Sequence, residues 1–157
     1  MRCPVALLLV LLCGMMTVAC GSDPASPTTT TANGSISAKV SGTGWSATNV
    51  QSTWQSNVLS LGGSQIQGTG NQQINITGLI SKTGTYQLNP FAGLNASYTE
   101  ATTSGGVSAK IFSVTSGTLV VDKLSATGAS GTFSFEAKES QGTGTRSITE
   151  GKFDVKF

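Results

Sequence analysis

From Ser35 onward, apolar residues recur at every second position. Ile36, Ala38 and Val40 keep this spacing, as do Leu59 with Leu61, Ile74 with Ile76, and Tyr86 with Leu88. Phe133 pairs with Phe135 in the same way, and the chain ends on Phe153, Val155 and Phe157. Successive side chains of an extended strand point to opposite faces, so a period of two marks strands with one wet and one buried face. The breaks carry turn chemistry: Gly42-Thr43-Gly44, Gly62-Gly63, Gly68-Thr69-Gly70-Asn71, Gly105-Gly106 and Gly142-Thr143-Gly144. No stretch after residue 34 shows a helical stripe. Strand candidates so spaced predict an all-β domain over 35–157, an antiparallel β-sandwich or flattened β-barrel of roughly 8–10 strands.

Some segments are apolar on both faces. Ile111-Phe112-Ser113-Val114 and Leu119-Val120-Val121 therefore read as central strands. The last hairpin can be taken further. Pairing Ser140 with Thr145 sets Ala137 opposite Ile148 and Phe133 opposite Phe153. Ile148 and Phe153 differ in parity, so one extra residue is needed between them, and Gly151 is the expected β-bulge. Lys152, Asp154 and Lys156 then face solvent, while Phe153, Val155 and Phe157 face the core. A one-residue slip would bury those charges instead.

The pattern changes completely before residue 35. Residues 21–34 hold Asp23-Pro24, Ser26-Pro27 and four successive threonines from Thr28, with nothing to bury. As a coil this tether spans ~20 Å. The apolar run 5–18 is short for a membrane span of ~20 residues and suits a signal-peptide core. The sequence Thr17-Val18-Ala19-Cys20 resembles the lipobox of bacterial lipoproteins, with Thr17 where that family mostly carries Leu. The resemblance implies a signal peptide over 1–19 and a lipid-bearing Cys20 that begins the mature chain. Cys3 and Cys13 would leave with the signal, and no cysteine follows Cys20, so no disulfide is expected. Gly21 after the lipidated residue implies, by the same resemblance, the outer membrane of the cell envelope.

The ordered blocks ISAKVSG (36–42), WSA (45–47), GTYQL (84–88), ASY (96–98), SGTLVVD (116–122), SGTFSFEA (130–137) and ITEGKF (148–153) resemble an uncharacterised domain family. That family is common among lipoproteins of Bacteroidota. The resemblance implies a secreted, anchored β domain and carries no known catalytic residues.

Composition narrows the chemistry. Histidine is absent, which removes Ser-His-Asp catalysis and most transition-metal sites. Charged residues are 10% of the chain and the formal net charge is +2, too weak a field to steer nucleic acid. No glycine loop ends in the Lys-Ser/Thr of a phosphate cradle. The candidate carboxylates, all in the β domain, are Glu100, Asp122, Glu136, Glu139, Glu150 and Asp154, with none in a calcium-loop pattern. Glu136 and Glu150 could approach across the last hairpin, as a hydrolase pair must. Their lysine neighbours favour solvated surface charge. No catalytic residue, metal or cofactor is therefore expected, and the chain is not expected to be an enzyme.

Aromatic residues are the remaining lead, because their faces stack on sugars. Trp54, Tyr98 and Trp45 are the candidate ligand contacts. Core or rim packing outweighs ligand contact for Trp45 and Tyr98, and the two readings balance for Trp54, which lies in a polar stretch. The expected function is a non-catalytic envelope lipoprotein, held to the membrane by its N-terminal lipid and meeting a protein or glycan at the cell surface. The alternative is a small-ligand or carbohydrate-binding β-sandwich or barrel.

Overall fold

The computed structural model describes residues 33–91, 93–106 and 108–157. The signal, Cys20 and nearly all of the tether lie outside the described residues. The described chain is all β, with ten strands and no helix. In order these are β1 (Gly34–Val40), β2 (Thr43–Ser46), β3 (Asn49–Gln55), β4 (Val58–Gln67) and β5 (Gly70–Leu79). Then follow β6 (Gly84–Gln87), β7 (Leu94–Thr102), β8 (Ser108–Ser125), β9 (Gly128–Glu139) and β10 (Thr145–Lys156).

All ten form one antiparallel sheet in the order β2-β1-β10-β9-β8-β7-β5-β4-β3, with β6 on the lower half of β8. The antiparallel all-β expectation is met as one curled sheet, a half-barrel, rather than two separate layers. Curling brings edge strand β3 back to β10, where Ser52 Oγ donates to Lys156 O at 2.6 Å. At the other edge Ala47 N donates to Ile36 O at 2.9 Å and Thr48 N to Ser64 O at 2.7 Å.

The alternation sorts the faces as expected. Ile36, Ala38, Val40, Leu59, Leu61, Ile74, Ile76, Phe133, Phe135, Phe153 and Val155 are all buried. The two doubly apolar segments belong to one long strand, β8, which bulges between Val114 and Ser116. It is central, but only Phe112, Val114, Leu119 and Val121 are buried, and Ile111 is exposed.

The last hairpin departs from the expected register by two residues. Ile148 pairs with Phe135, and Phe153 with Gly131. The cause is a wider loop, closed by Glu139 N to Gly144 O at 2.8 Å and by the Glu139 carboxylate accepting from Gly144 N at 3.3 Å. An even shift preserves parity, so Lys152, Asp154 and Lys156 still face solvent. The bulge falls where parity demanded it, between Ile148 and Gly151. The left-handed residue is Glu150 (φ 51°), not Gly151. Gly151 is needed for a different reason: a Cβ there would lie 2.5 Å from the Phe133 ring. Phe157 also departs from expectation. It sits on the rim, 36% exposed and stacked on Trp54 at 6.3 Å between ring centres.

Candidate functional site

Strand directions give the half-barrel two unlike ends. One carries the β1–β2, β4–β5, β7–β8 and β9–β10 turns, and is called the mouth here. The other carries the C-terminus, the start of β1 and the β3–β4 and β8–β9 turns.

Along the inner face of β4, β5 and β7 the rungs change character toward the mouth. Leu61, Ile76 and Ala96 share one rung, and Gly63, Ile74 and Tyr98 the next. The rung above is polar throughout: Gln65, Gln72 and Glu100. The facing wall is built by the β1–β2 hairpin with Trp45 and by β10, whose Arg146 shares the inward parity of Ile148.

Arg146 ties the two walls. Its Nε donates to Glu100 Oε1 at 2.7 Å and its Nη2 to Glu100 Oε2 at 2.9 Å. β7 and β10 are not neighbours in the sheet, so this bidentate pair spans the mouth. The guanidinium lies 4.7 Å from the centre of the Phe112 ring, which in turn tilts against Tyr98 at 5.9 Å. Glu100 raises the affinity of Arg146 for its proton.

A cavity of about 280 Å³ opens between these walls, lined by Val40, Thr43, Gly44, Trp45, Gln72, Tyr98, Glu100 and Arg146 among others. A second of about 320 Å³, reaching Gln65 and Asn71, shares Gln72 and Glu100 with it. Tyr98 is fully buried and Trp45 is 2% exposed. The Tyr98 hydroxyl and Trp45 Nε1 are nevertheless buried without a hydrogen-bond partner, as is Asn71 Oδ1. Most buried polar groups are paired, and leaving one unmade costs ~1–3 kcal/mol. These are the only such side-chain atoms among the described residues, and all belong to residues lining the two mouth cavities.

Burial, reinforced by the negative charge of Glu100 and by a long hydrogen-bonding approach of the phenol to that carboxylate, and opposed by Arg146, pushes the Tyr98 phenol well above the ordinary tyrosine range. The phenol therefore stays protonated and able to donate. Tyrosine in the unfolded chain ionises near 10.0. The contribution of Tyr98 to stability is therefore complete below that pH and declines as pH rises above it. In a Tyr86→Phe chain, tyrosinate absorbance should appear together with the loss of β circular dichroism, not before it. Ionisation in a still-folded domain would contradict the burial.

Of the aromatic candidates, Trp45 and Tyr98 are brought together on one cavity. Trp54 is elsewhere, half-buried toward the opposite end, with its Nε1 donating to Ile80 O at 2.9 Å. Glu136 and Glu150 do not form a pair. Glu136 accepts from Ser147 Oγ at 2.6 Å, and Glu150 meets Lys39 at 2.7 Å. Among the described residues no cluster of three metal-ligating side chains occurs. Sequence reading named Glu100 only among the carboxylates, without a partner, and missed Arg146 and Gln72. The signal was present in parity: Glu100 continues Leu94, Ala96 and Tyr98 by twos, and Arg146 precedes Ile148 by two. Two opposite charges on inward positions point to a pair inside the fold.

Comparison with protein-family models matches residues 32–155 to a domain of unknown function, DUF6252. The chain belongs to the DUF6252 family. The match spans almost the whole β domain, including every residue of the mouth cavity. No curated protein and no solved structure matches the chain. The DUF6252 domain thus arrives with a family and without an assigned activity.

Proposed function

We propose that this chain is a lipid-anchored envelope protein whose DUF6252 domain binds, without catalysis, a small uncharged ligand in its mouth cavity. The observation that carries the reading is a pair of buried donors on one cavity: Trp45 Nε1, which has no partner, and the Tyr98 hydroxyl, whose polar neighbour is the Glu100 carboxylate already held by Arg146. Indole N–H can only donate and the protonated phenol donates readily, so they call for acceptor oxygens on the ligand. Gln72 adds an amide that both donates and accepts. Glu100 and Arg146 satisfy each other, which leaves no free charge to select an ion. Small-molecule sites run from ~300 to 1,000 Å³, and this cavity of about 280 Å³ suits one ring-sized group. A single sugar residue, free or at the end of a glycan, has that size and chemistry. The anchor rests on Cys20 in its lipobox-like setting and on the tether that follows it.

Isothermal titration against a panel of neutral sugars and glycans tests the binding. A Thr43→Phe variant provides the control, because Thr43 lines the cavity on the same face of β2 as Trp45 and pairs with inward-facing Val40, so the ring enters the mouth from an exposed position. Saturable heat with the native chain and none with Thr43→Phe is the expected pair of results. Silence across the panel with the native chain counts against the reading. Removing the hydroxyl by Tyr98→Phe should change the melting temperature little, since the hydroxyl makes no close hydrogen bond and Glu100 keeps its bidentate pair with Arg146. The same change should weaken binding by ~0.5–1.5 kcal/mol.

A further inference from the structure

The end opposite the mouth carries an apolar rim, and we propose that this rim rests on the lipid surface that holds the anchor. The inference depends on the lipid-anchor reading and adds an orientation to it. The rim can be followed contact by contact. The chain arrives at Asn33, whose carbonyl accepts from Lys156 N at 2.8 Å. Next along is Phe157, stacked on Trp54, whose indole N–H is bonded to Ile80 O. Beside Ile80, Leu79 pairs across β4–β5 with Val58. Leu79 is 63% exposed and Val58 40%. One step along β5, Gly78 pairs with Leu94 at the start of β7. The turn before Leu94 holds Phe91, which is 97% exposed. Asn89 Oδ1 accepts from Phe91 N at 2.9 Å and fixes that turn with the ring outside.

Among the described residues, four of the six exposed large apolar side chains, Val58, Leu79, Phe91 and Phe157, therefore fall at the end where the chain leaves for the tether. Exposed aromatic and aliphatic groups gathered in one place mark an interaction surface. Two features select a bilayer. The segments 54–58 and 78–94 contain no acidic residue, and their one charge is Lys82, which suits an anionic headgroup layer. The tether starts beside the rim, so the membrane-bound end of the chain is held within ~20 Å of it. Lipid chains also anchor more stably when a second membrane signal accompanies them. The mouth, about six residues along β1 or ~20 Å of strand away, then opens away from the bilayer.

The test uses the full processed protein reconstituted in vesicles of mixed zwitterionic and anionic lipid. With Cys20 acylated, the mature chain has no free thiol, so a single introduced cysteine takes an environment-sensitive dye alone. Ser81→Cys places the dye beside the rim without removing any rim side chain, and Thr69→Cys places it on the β4–β5 turn at the mouth. Spin-labelled lipid should quench most of the emission at 81 and leave 69 unchanged, and Phe91→Glu should reverse the quenching at 81. If mass spectrometry finds the acyl chains but 81 is no more quenched than 69, the rim does not touch lipid and the anchor stands. A mature chain without acyl mass removes both.

Discussion

Deleting residues 155–157 should unfold the domain at temperatures where the intact chain stays folded. Val155 is 2% exposed and pairs with Gly34 on one side and Ala129 on the other. Lys156 supplies the carbonyl that Ser52 reaches from β3, and its N–H holds Asn33. Phe157 N donates to Thr127 O at 3.1 Å, and its ring covers Trp54. The deletion thus removes a core side chain, rungs of two ladders and the tie that closes the curl. Burying Val155 contributes ~1.5–3 kcal/mol, and each lost hydrogen bond adds ~0.5–1.5 kcal/mol. A fall in melting temperature of ~10 °C or more is expected for a domain of this size. An unchanged melting curve would mean that the last strand is not part of the cooperative fold.

Arg146→Ala should have the second largest effect. It strands the Glu100 carboxylate, whose side chain is only 26% exposed, and strips the cation from the Phe112 ring. It also cuts the ion pair that joins β7 to β10 across the mouth. Breaking a fully buried pair costs ~3–5 kcal/mol, and partial exposure here brings the expectation to ~2–3 kcal/mol. Replacing both partners, with Glu100→Gln and Arg146→Met together, should recover a good part of that loss, because no unpaired charge remains. Chemical denaturation of Glu100→Gln, Arg146→Met and the double closes the cycle. A single variant as stable as the native chain would show that the pair contributes nothing to the fold.

What the sequence made legible was parity. Period two placed Ile36, Leu59, Ile74, Phe133 and Phe153 on the inner face, and it required a bulge between Ile148 and Phe153. Register within the last hairpin was not legible, because it depends on the Glu139 side chain widening the loop. Gly151 drew attention as a bulge glycine, yet its role is to make room for Phe133. The site was half legible. Trp45 and Tyr98 were singled out for their chemistry, but their meeting needs β2 to face β7 across the curl. Local pattern cannot report that, since β2 and β7 are far apart in the sheet order. Trp54 looked the most available from its polar neighbours, but the carbonyl of Ile80 and the Phe157 ring occupy it.

The proposed binding site is the mouth cavity with its buried donors, and Trp45 reports on it directly. Trp54→Phe leaves Trp45 as the sole indole of the chain. Its emission, titrated with the neutral sugar or glycan that gives the strongest heat, should change saturably, and Tyr98→Phe should shift the curve to higher concentration. Emission that does not respond at saturating ligand, or a response that Tyr98→Phe leaves untouched, would contradict the assignment of the mouth as the binding site.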